Sequence, residues 1–262
     1  MFFCYVSPDF SKKQRLFSMA LFDKPIQQMT ALLDSLQSDA RTRCYPALGE
    51  HFWPEGGQGS YIMEQDTAIE LGHPKTESIS FLLWTETPGC FEQGRITLIG
   101  PELNEMTQRK APFGQVILLE MEHTDEKDGI QRFRQLEAVK YRIDLQGYMR
   151  RGASQFLREW SRVSNSALRD QFSFQMLGSA LIQQYQRMPA VTGTAVIFIT
   201  AADVLTNIKP IATQALRTIS ALNKMLNEAV SDCETCEYSD ICEDVTELQA
   251  MRASKYQNKG VS

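Results

Sequence analysis

The chain has 262 residues, of which 43% are hydrophobic and 23% charged, and its formal net charge is −5. A chain of this size and composition can bury a substantial core without disulfides. Its negative charge gives no reason to expect nucleic acid or an anionic membrane as a partner, and no apolar run approaches the roughly 18 residues of a membrane helix. The apolar residues of the N-terminus precede the basic ones, the reverse of a signal peptide, so we expect a cytoplasmic protein.

The first sixty residues predict an edge strand at residues 2–6, a helix and a loop. The helix begins at Asp23, a capping residue, and tolerates Pro25 in its first turn. Residues 46–60 are rich in glycine but lack the Lys and Ser/Thr of a phosphate-binding loop, so they predict a flexible connection.

Five strands are predicted next. Two of them, residues 96–99 and 116–121, are nearly uninterrupted apolar runs rich in β-branched residues, as in strands covered on both faces. The other three are predicted at residues 61–63, 68–71 and 79–84.

The second half of the chain predicts helices around one more buried strand. Apolar residues at helical spacing predict a long helix over residues 127–149, and another that starts at Asn165 or Ser166 and ends before Pro189. A strand at residues 195–200 is followed by a helix that Pro210 opens.

A locally basic region accompanies these helices. It is either a solvated helix face with paired charges or a site for an anionic ligand. Its members are Arg132, Arg134, Lys140, Arg142, Arg150, Arg151 and Arg158.

This order of elements predicts an α/β fold, a mixed sheet flanked by helices with a strand-rich N-terminal part, and α+β is the alternative. We divide the chain into an N-terminal helix and loop region (1–60), an α/β domain (61–230) and a cysteine-rich segment with a tail (231–262).

Three collinear motifs carry a family resemblance. They are ELGHPK at residues 70–75, a strand followed by Gly-Pro-Glu and a second strand within residues 95–122, and EWSRVSNSA at residues 159–167. Together they resemble the middle region of the beta subunit (acetyl-CoA synthase) of the CO dehydrogenase/acetyl-CoA synthase complex. The resemblance spans roughly residues 60–200 and implies a place in anaerobic CO and one-carbon metabolism.

The resemblance implies a CoA-binding role for Trp160 and Arg162, which match a tryptophan and an arginine of the family. An indole can stack on a flat base, and a guanidinium can fork onto phosphate. The alternative is that Trp160 is a core or strand residue and Arg162 a surface residue. The family's nickel site needs a C-x-C tripeptide, which this sequence lacks, so acetyl-CoA assembly is not expected.

Cys233, Cys236 and Cys242 form a C-x2-C-x5-C motif, which predicts a metal centre rather than disulfides. Soft thiolates favour an iron-sulfur cluster or zinc, and the absence of nearby histidines or a second C-x2-C pair favours a 4Fe-4S cluster. A fourth ligand has to come from Cys4, Cys44, Cys90, a non-cysteine group or another subunit. Flanking carboxylates predict a low reduction potential.

Three functions follow from these features. The first is an accessory iron-sulfur protein that transfers electrons, senses or docks, with CO dehydrogenase, a corrinoid protein or a related redox metalloprotein as the partner that the resemblance implies. The second is a redox enzyme that binds CoA or a similar anion in the basic region. The third is a zinc-stapled interaction module.

Overall fold

The computed structural model describes residues 21–57, 61–122, 129–152, 158–227, 237–245 and Leu248. Its strands are β1 (Thr42–Pro46), β2 (Thr67–Leu71), β3 (Ser78–Thr85), β4 (Arg95–Ile99), β5 (Lys110–Ala111), β6 (Phe113–Met121), β7 (Tyr148–Gly152), β8 (Trp160–Ser164) and β9 (Val191–Ile199). Its α-helices are α1 (Asp23–Leu36), α2 (Gly129–Val139), α3 (Asn165–Arg169), α4 (Phe174–Gln186), α5 (Ala202–Asn227) and α6 (Ser239–Asp244). No described helix is both long and apolar enough to span a bilayer.

The larger sheet has five strands in the order β1-β4-β9-β6-β3. The β3–β6 and β4–β9 pairs are parallel, whereas β6–β9 and β1–β4 are antiparallel. Every residue of β3 and β6 is buried, as their continuous apolar sequences require. The predicted mixed α/β fold is therefore confirmed.

Helices cover both faces of this sheet. A Cβ on Gly114 would lie 2.5 Å from Leu205 of α5, and a Cβ on Gly178 of α4 would lie 2.8 Å from Ile96 of β4. Gly114 and Ile99 both pair with Ile199, so they share one face, and Ile96 points to the other because side chains alternate along a strand. Helices α5 and α4 thus lie on opposite faces.

The smaller sheet has the order β5-β2-β8-β7 and lies on the α4 face. The Ser78 hydroxyl donates to the backbone oxygen of Glu159, 2.7 Å away, next to β8. Phe198, which pairs across the strands with Gln115, lies 4.9 Å from Phe174 of α4. An aromatic core therefore joins this sheet face to α4.

The predicted long helix over residues 127–149 was wrong in its second half. Helix α2 ends at Val139, and residues 148–152 form β7, which pairs with β8. Gly147 has φ +76°, and a Cβ there would lie 2.5 Å from the Ala167 side chain. The chain turns sharply at this glycine, and strand pairing then replaces the helical pattern.

Three other boundaries differ from the prediction. Residues 61–63 are not a strand. The helix predicted from residue 165 is two helices, because Gln171 has φ +67° and Ser173 caps α4 by accepting from the Met176 N–H. Helix α5 begins at Ala202 and contains Pro210 in its interior. The predicted strand at residues 2–6 lies outside the described residues.

Candidate functional site

The two short motifs that suggested a binding role meet on the smaller sheet. Strands β2 and β8 are antiparallel, and their register places Glu70 opposite Arg162. Trp160 lies two residues before Arg162 on the same strand, so both side chains are on the same face of the sheet. We call this surface, formed by Glu70, His73, Arg151, Trp160 and Arg162, the Trp160 face.

A buried ion pair forms the centre of the Trp160 face. Arg162 Nε donates to Glu70 Oε1 at 2.8 Å, and the two side chains are 7% and 5% exposed. Arg162 Nη1 also donates to the Ile62 carbonyl oxygen at 3.2 Å. The guanidinium is therefore held by groups of the protein itself, and its charge is balanced by Glu70.

Trp160 is half-buried and contacts two polar side chains. The Arg151 guanidinium carbon lies 4.7 Å from the indole centroid, and the His73 ring meets the indole edge-on at 5.3 Å. Arg151 Nη1 also donates to the Tyr61 hydroxyl at 3.3 Å. The indole Nε1–H is buried and has no hydrogen-bond acceptor among the described residues. The indole therefore combines a cation-covered face with an unused donor.

The charges around His73 favour an anion over a further cation. Burial lowers the pKa of His73 first, and the positive charges of Lys110, Lys75 and Arg162 lower it further, whereas Glu70 raises it. His73 Nε2 lies 3.7 Å from Glu70 Oε2. Because the cations outweigh this carboxylate, a negatively charged ligand would be stabilised here.

The basic region of the sequence does not form one surface. Lys140 and Arg150 are buried, and their side chains pair with Glu137 and Glu159, respectively. Arg151 belongs to the Trp160 face, and Arg158 donates to the Thr76 carbonyl oxygen at 3.1 Å. Only part of the predicted anionic-ligand region therefore remains available to a ligand.

The interior ion pair of Arg150 and Glu159 lies within the smaller sheet, and Glu159 connects it to the larger sheet. Glu159 Oε1 accepts from the Tyr148 hydroxyl at 3.0 Å, and Ser80 on β3 donates to Oε2 at 3.4 Å. Burial raises the pKa of Tyr148 well above its ordinary value, so the phenol stays protonated and donates. Sequence patterns gave no sign of this role because its members lie on separate elements.

The predicted metal ligands are only partly described. Cys233 and Cys236 lie outside the described residues, whereas Cys242 is in α6 and is 7% exposed. Arg217 of α5 holds this helix with both Nη atoms on the Asp240 carboxylate, each at 2.7 Å. The described part of the chain contains no group of three or more metal-ligating side chains.

Cys44 and Cys90 lie elsewhere in the fold. Cys44 is exposed on β1, where Arg95 Nη2 donates to its sulfur at 2.8 Å. Cys90 is half-buried in the connection between β3 and β4. Burial, followed by the charges of Asp23 and Glu120, raises the pKa of the Cys90 thiol, which disfavours the thiolate that a metal needs.

One family model matches the chain, described as CO dehydrogenase/acetyl-CoA synthase complex beta subunit, over residues 55–204. The match includes the whole Trp160 face and strands β2 to β9, and it ends before Cys233, Cys236 and Cys242. No curated protein matches the chain.

The buried Arg162–Glu70 pair can be tested by removing one charge. We expect Glu70→Gln to lower the free energy of unfolding by about 3–5 kcal/mol, since Arg162 would keep a buried, unbalanced charge. The double variant Glu70→Leu with Arg162→Met should recover most of this loss. Urea denaturation measures both. Glu77→Gln is the matched control, because its pair with Lys209 is half exposed, and it should cost less than about 1 kcal/mol. Similar losses in Glu70→Gln and Glu77→Gln would contradict the assignment.

The charges around His73 predict a pH dependence. Since the folded pKa of His73 lies below the unfolded value of 6.5, the unfolded chain binds the proton first as the pH falls. The stability contribution of this site therefore falls as the pH drops through 6.5, and it levels off below the folded pKa. NMR titration of the imidazole, assigned with His73→Gln, should give a midpoint below 6.5. Lys110→Gln should raise this midpoint and Arg43→Gln should leave it in place; a midpoint at or above 6.5 would overturn the analysis.

Proposed function

Because the chain belongs to the family of the CO dehydrogenase/acetyl-CoA synthase complex beta subunit, we propose that it is an accessory iron-sulfur protein of CO and one-carbon metabolism. The family match carries the metabolic part of this proposal, and the C-x2-C-x5-C motif, which lies outside the match, is the reason for the iron-sulfur part. A CO dehydrogenase is the expected partner, since the matched family consists of subunits of that complex. The accessory role would be electron transfer, sensing or docking to this partner, since the chain lacks the tripeptide of the nickel site. A corrinoid protein is the alternative partner.

The nickel centre of acetyl-CoA assembly does not fit this chain. The sequence contains no C-x-C tripeptide, and the matched range contains a single cysteine, Cys90. We therefore derive no acetyl-transfer step for this protein.

The proposed cluster is held by Cys233, Cys236 and Cys242. Support comes from the spacing of the thiols and from the attachment of α6, which fixes Cys242 against α5 through Arg217 and Asp240. A bound 4Fe-4S cluster would supply one-electron redox chemistry. Carboxylates such as Asp232, Glu234 and Glu243 flank the motif in the sequence and would oppose the addition of an electron, so we propose a low potential.

The sheet order narrows the choice of a fourth ligand. Helix α6 and the start of β3 line the same cleft, whereas Cys44 lies on β1, four strands away from β3. At about 4.8 Å per strand, this separation is roughly 19 Å. Cys44 is therefore too far to share a centre with Cys242 in one chain. The remaining candidates are Cys4, Cys90, a non-cysteine group and another subunit.

Anaerobic purification with iron, sulfide and zinc analysis tests the cluster. We expect iron and sulfide with an electron paramagnetic resonance signal after reduction, and Cys233→Ser or Cys236→Ser should abolish most of the bound iron because each removes a thiolate ligand. Cys44→Ser is the matched control and should keep full iron content. Protein that contains zinc alone would contradict the proposal and support a zinc-stapled interaction module. A colourless, metal-free protein would refute both.

A second candidate function is the binding of CoA or a similar anion at the Trp160 face. The stacking of Arg151 on Trp160 favours it, because the indole offers a flat surface and the guanidinium a positive charge beside it. Besides burial, the nearby positive charges of Lys110 and Lys75 lower the pKa of His73. A purine ring could replace the Arg151 guanidinium on the indole and release it to bind phosphate. Arg162 would then position β8 beneath the ligand through its pair with Glu70.

Titration of CoA against tryptophan fluorescence checks this function. We expect saturable quenching in the wild-type chain and in Trp53→Phe, and loss of the quenching in Trp160→Phe. Arg151→Gln should weaken binding by about tenfold, the equivalent of one charge-assisted contact. Unchanged quenching in Trp160→Phe would show that Trp160 does not contact CoA.

A further inference from the structure

An open cleft lies beside the helix that carries Cys242. Its volume is about 1190 Å³, and it is bounded by α1, the start of β3 and the face of α5 that meets α6. The charged residues that line it are Lys24, Lys75, Glu77, Arg158, Lys209, Arg217 and Asp240. We call this surface the α6 cleft.

The α6 cleft is positively charged although the whole chain is acidic. Its lining has an excess of three positive charges, against a net charge of −5 for the chain. Lys209 pairs with Glu77 at 3.1 Å, and Arg217 pairs with Asp240 at 2.7 Å. Lys75 and Arg158 form no ion pair with a carboxylate among the described residues, and they contribute to this excess. A concave basic surface of this kind attracts acidic partners and speeds their association.

The dimensions of the cleft favour a polypeptide over a small molecule. Pockets for small ligands usually enclose about 300–1,000 Å³, and this cleft, at about 1190 Å³, lies just above that range and is open to solvent. Its charged groups are also well exposed: the Lys209 and Arg217 side chains are 55% and 39% accessible. An extended segment with several carboxylates can reach cations at both ends of such a cleft.

Arg217 connects the cleft to the cysteine segment. Its guanidinium lines the cleft and also binds the Asp240 carboxylate and the Glu237 carbonyl oxygen, which holds α6 against α5. A carboxylate that entered the cleft would compete with Asp240 for this guanidinium, since exposed ion pairs are weak. Occupation of the cleft and attachment of α6 are therefore opposed.

We propose that the α6 cleft is a docking site for an acidic polypeptide segment of a partner protein, and that docking releases Arg217 from Asp240 and loosens α6. This inference does not depend on the identity of the metal or on CoA binding. A partner that docks here would act directly on the helix that contains Cys242.

A labelled hexaglutamate peptide tests the docking site on the full-length chain by fluorescence anisotropy. We expect saturable binding that weakens steeply with added salt, and no binding of hexaglutamine of the same length. Lys75→Gln and Arg158→Gln should each weaken hexaglutamate binding by about fivefold. The matched control Arg43→Gln removes a cation from the opposite edge of the larger sheet and should leave the affinity unchanged.

Two results would overturn the docking site. One is hexaglutamate binding that is no tighter than hexaglutamine binding, or that is equally affected by Arg43→Gln and Arg158→Gln. The other is tighter binding of inorganic pyrophosphate than of hexaglutamate, which would assign the cleft to a small anion.

Hydrogen exchange of the backbone amides of residues 237–245 tests the coupling to α6. Saturating hexaglutamate should increase exchange several-fold above that in sodium chloride of the same ionic strength. Arg217→Gln should exchange fast without peptide and respond little to it. Unchanged or slower exchange on peptide binding would refute the competition for Arg217. The cluster proposal is judged separately, by metal content.

Discussion

The buried ion pair between Arg162 and Glu70 is the interaction on which the candidate site depends. Two charges removed from water are tolerated only when they neutralise each other and find further hydrogen bonds, as Arg162 does at the Ile62 carbonyl. The pair also matches the register of β2 and β8, because a shift by one residue would place the charges on opposite faces. With this register fixed, Trp160, His73 and Arg151 come into contact.

The pairing of buried charges also explains why the basic stretch of the sequence forms only scattered patches of positive surface. Arg150 and Lys140 lie in the interior, where Glu159 and Glu137 balance them, and Arg150 is also 5.9 Å from the ring of Tyr141. The interior of this protein is therefore held by charge pairs as well as by the aromatic core around Phe198. Of this basic stretch, Arg151 lies on the Trp160 face and Arg158 lines the α6 cleft, and both surfaces are suited to anions.

The family relationship and the cysteine motif belong to different parts of the chain. The matched range contains the smaller sheet and the Trp160 face, whereas Cys233, Cys236 and Cys242 follow it in the sequence, and Cys242 lies in α6, which is held against α5. We therefore propose that the metal binds outside the range that matches the family. The Arg217–Asp240 bridge joins α6 to α5, a helix that begins at the end of the matched range, and it lies in the α6 cleft, where a partner can reach it.

The sequence by itself determined the buried central strands and the mixed α/β class, because continuous apolar runs such as those of β6 and β9 have to be covered on both faces. The three collinear motifs indicated the family. The sequence singled out Trp160 and Arg162, but only the structure shows that residues 160–164 form a strand, which places both side chains on one face. Only the tertiary structure decided that residues 148–152 pair with β8 instead of continuing a helix, since that choice depends on a partner strand and on the turn at Gly147. It likewise decided which cations are buried and which face solvent. The sequence shows where the positive side chains are, but their carboxylate partners come from distant elements, such as β2 for Arg162 and α6 for Arg217.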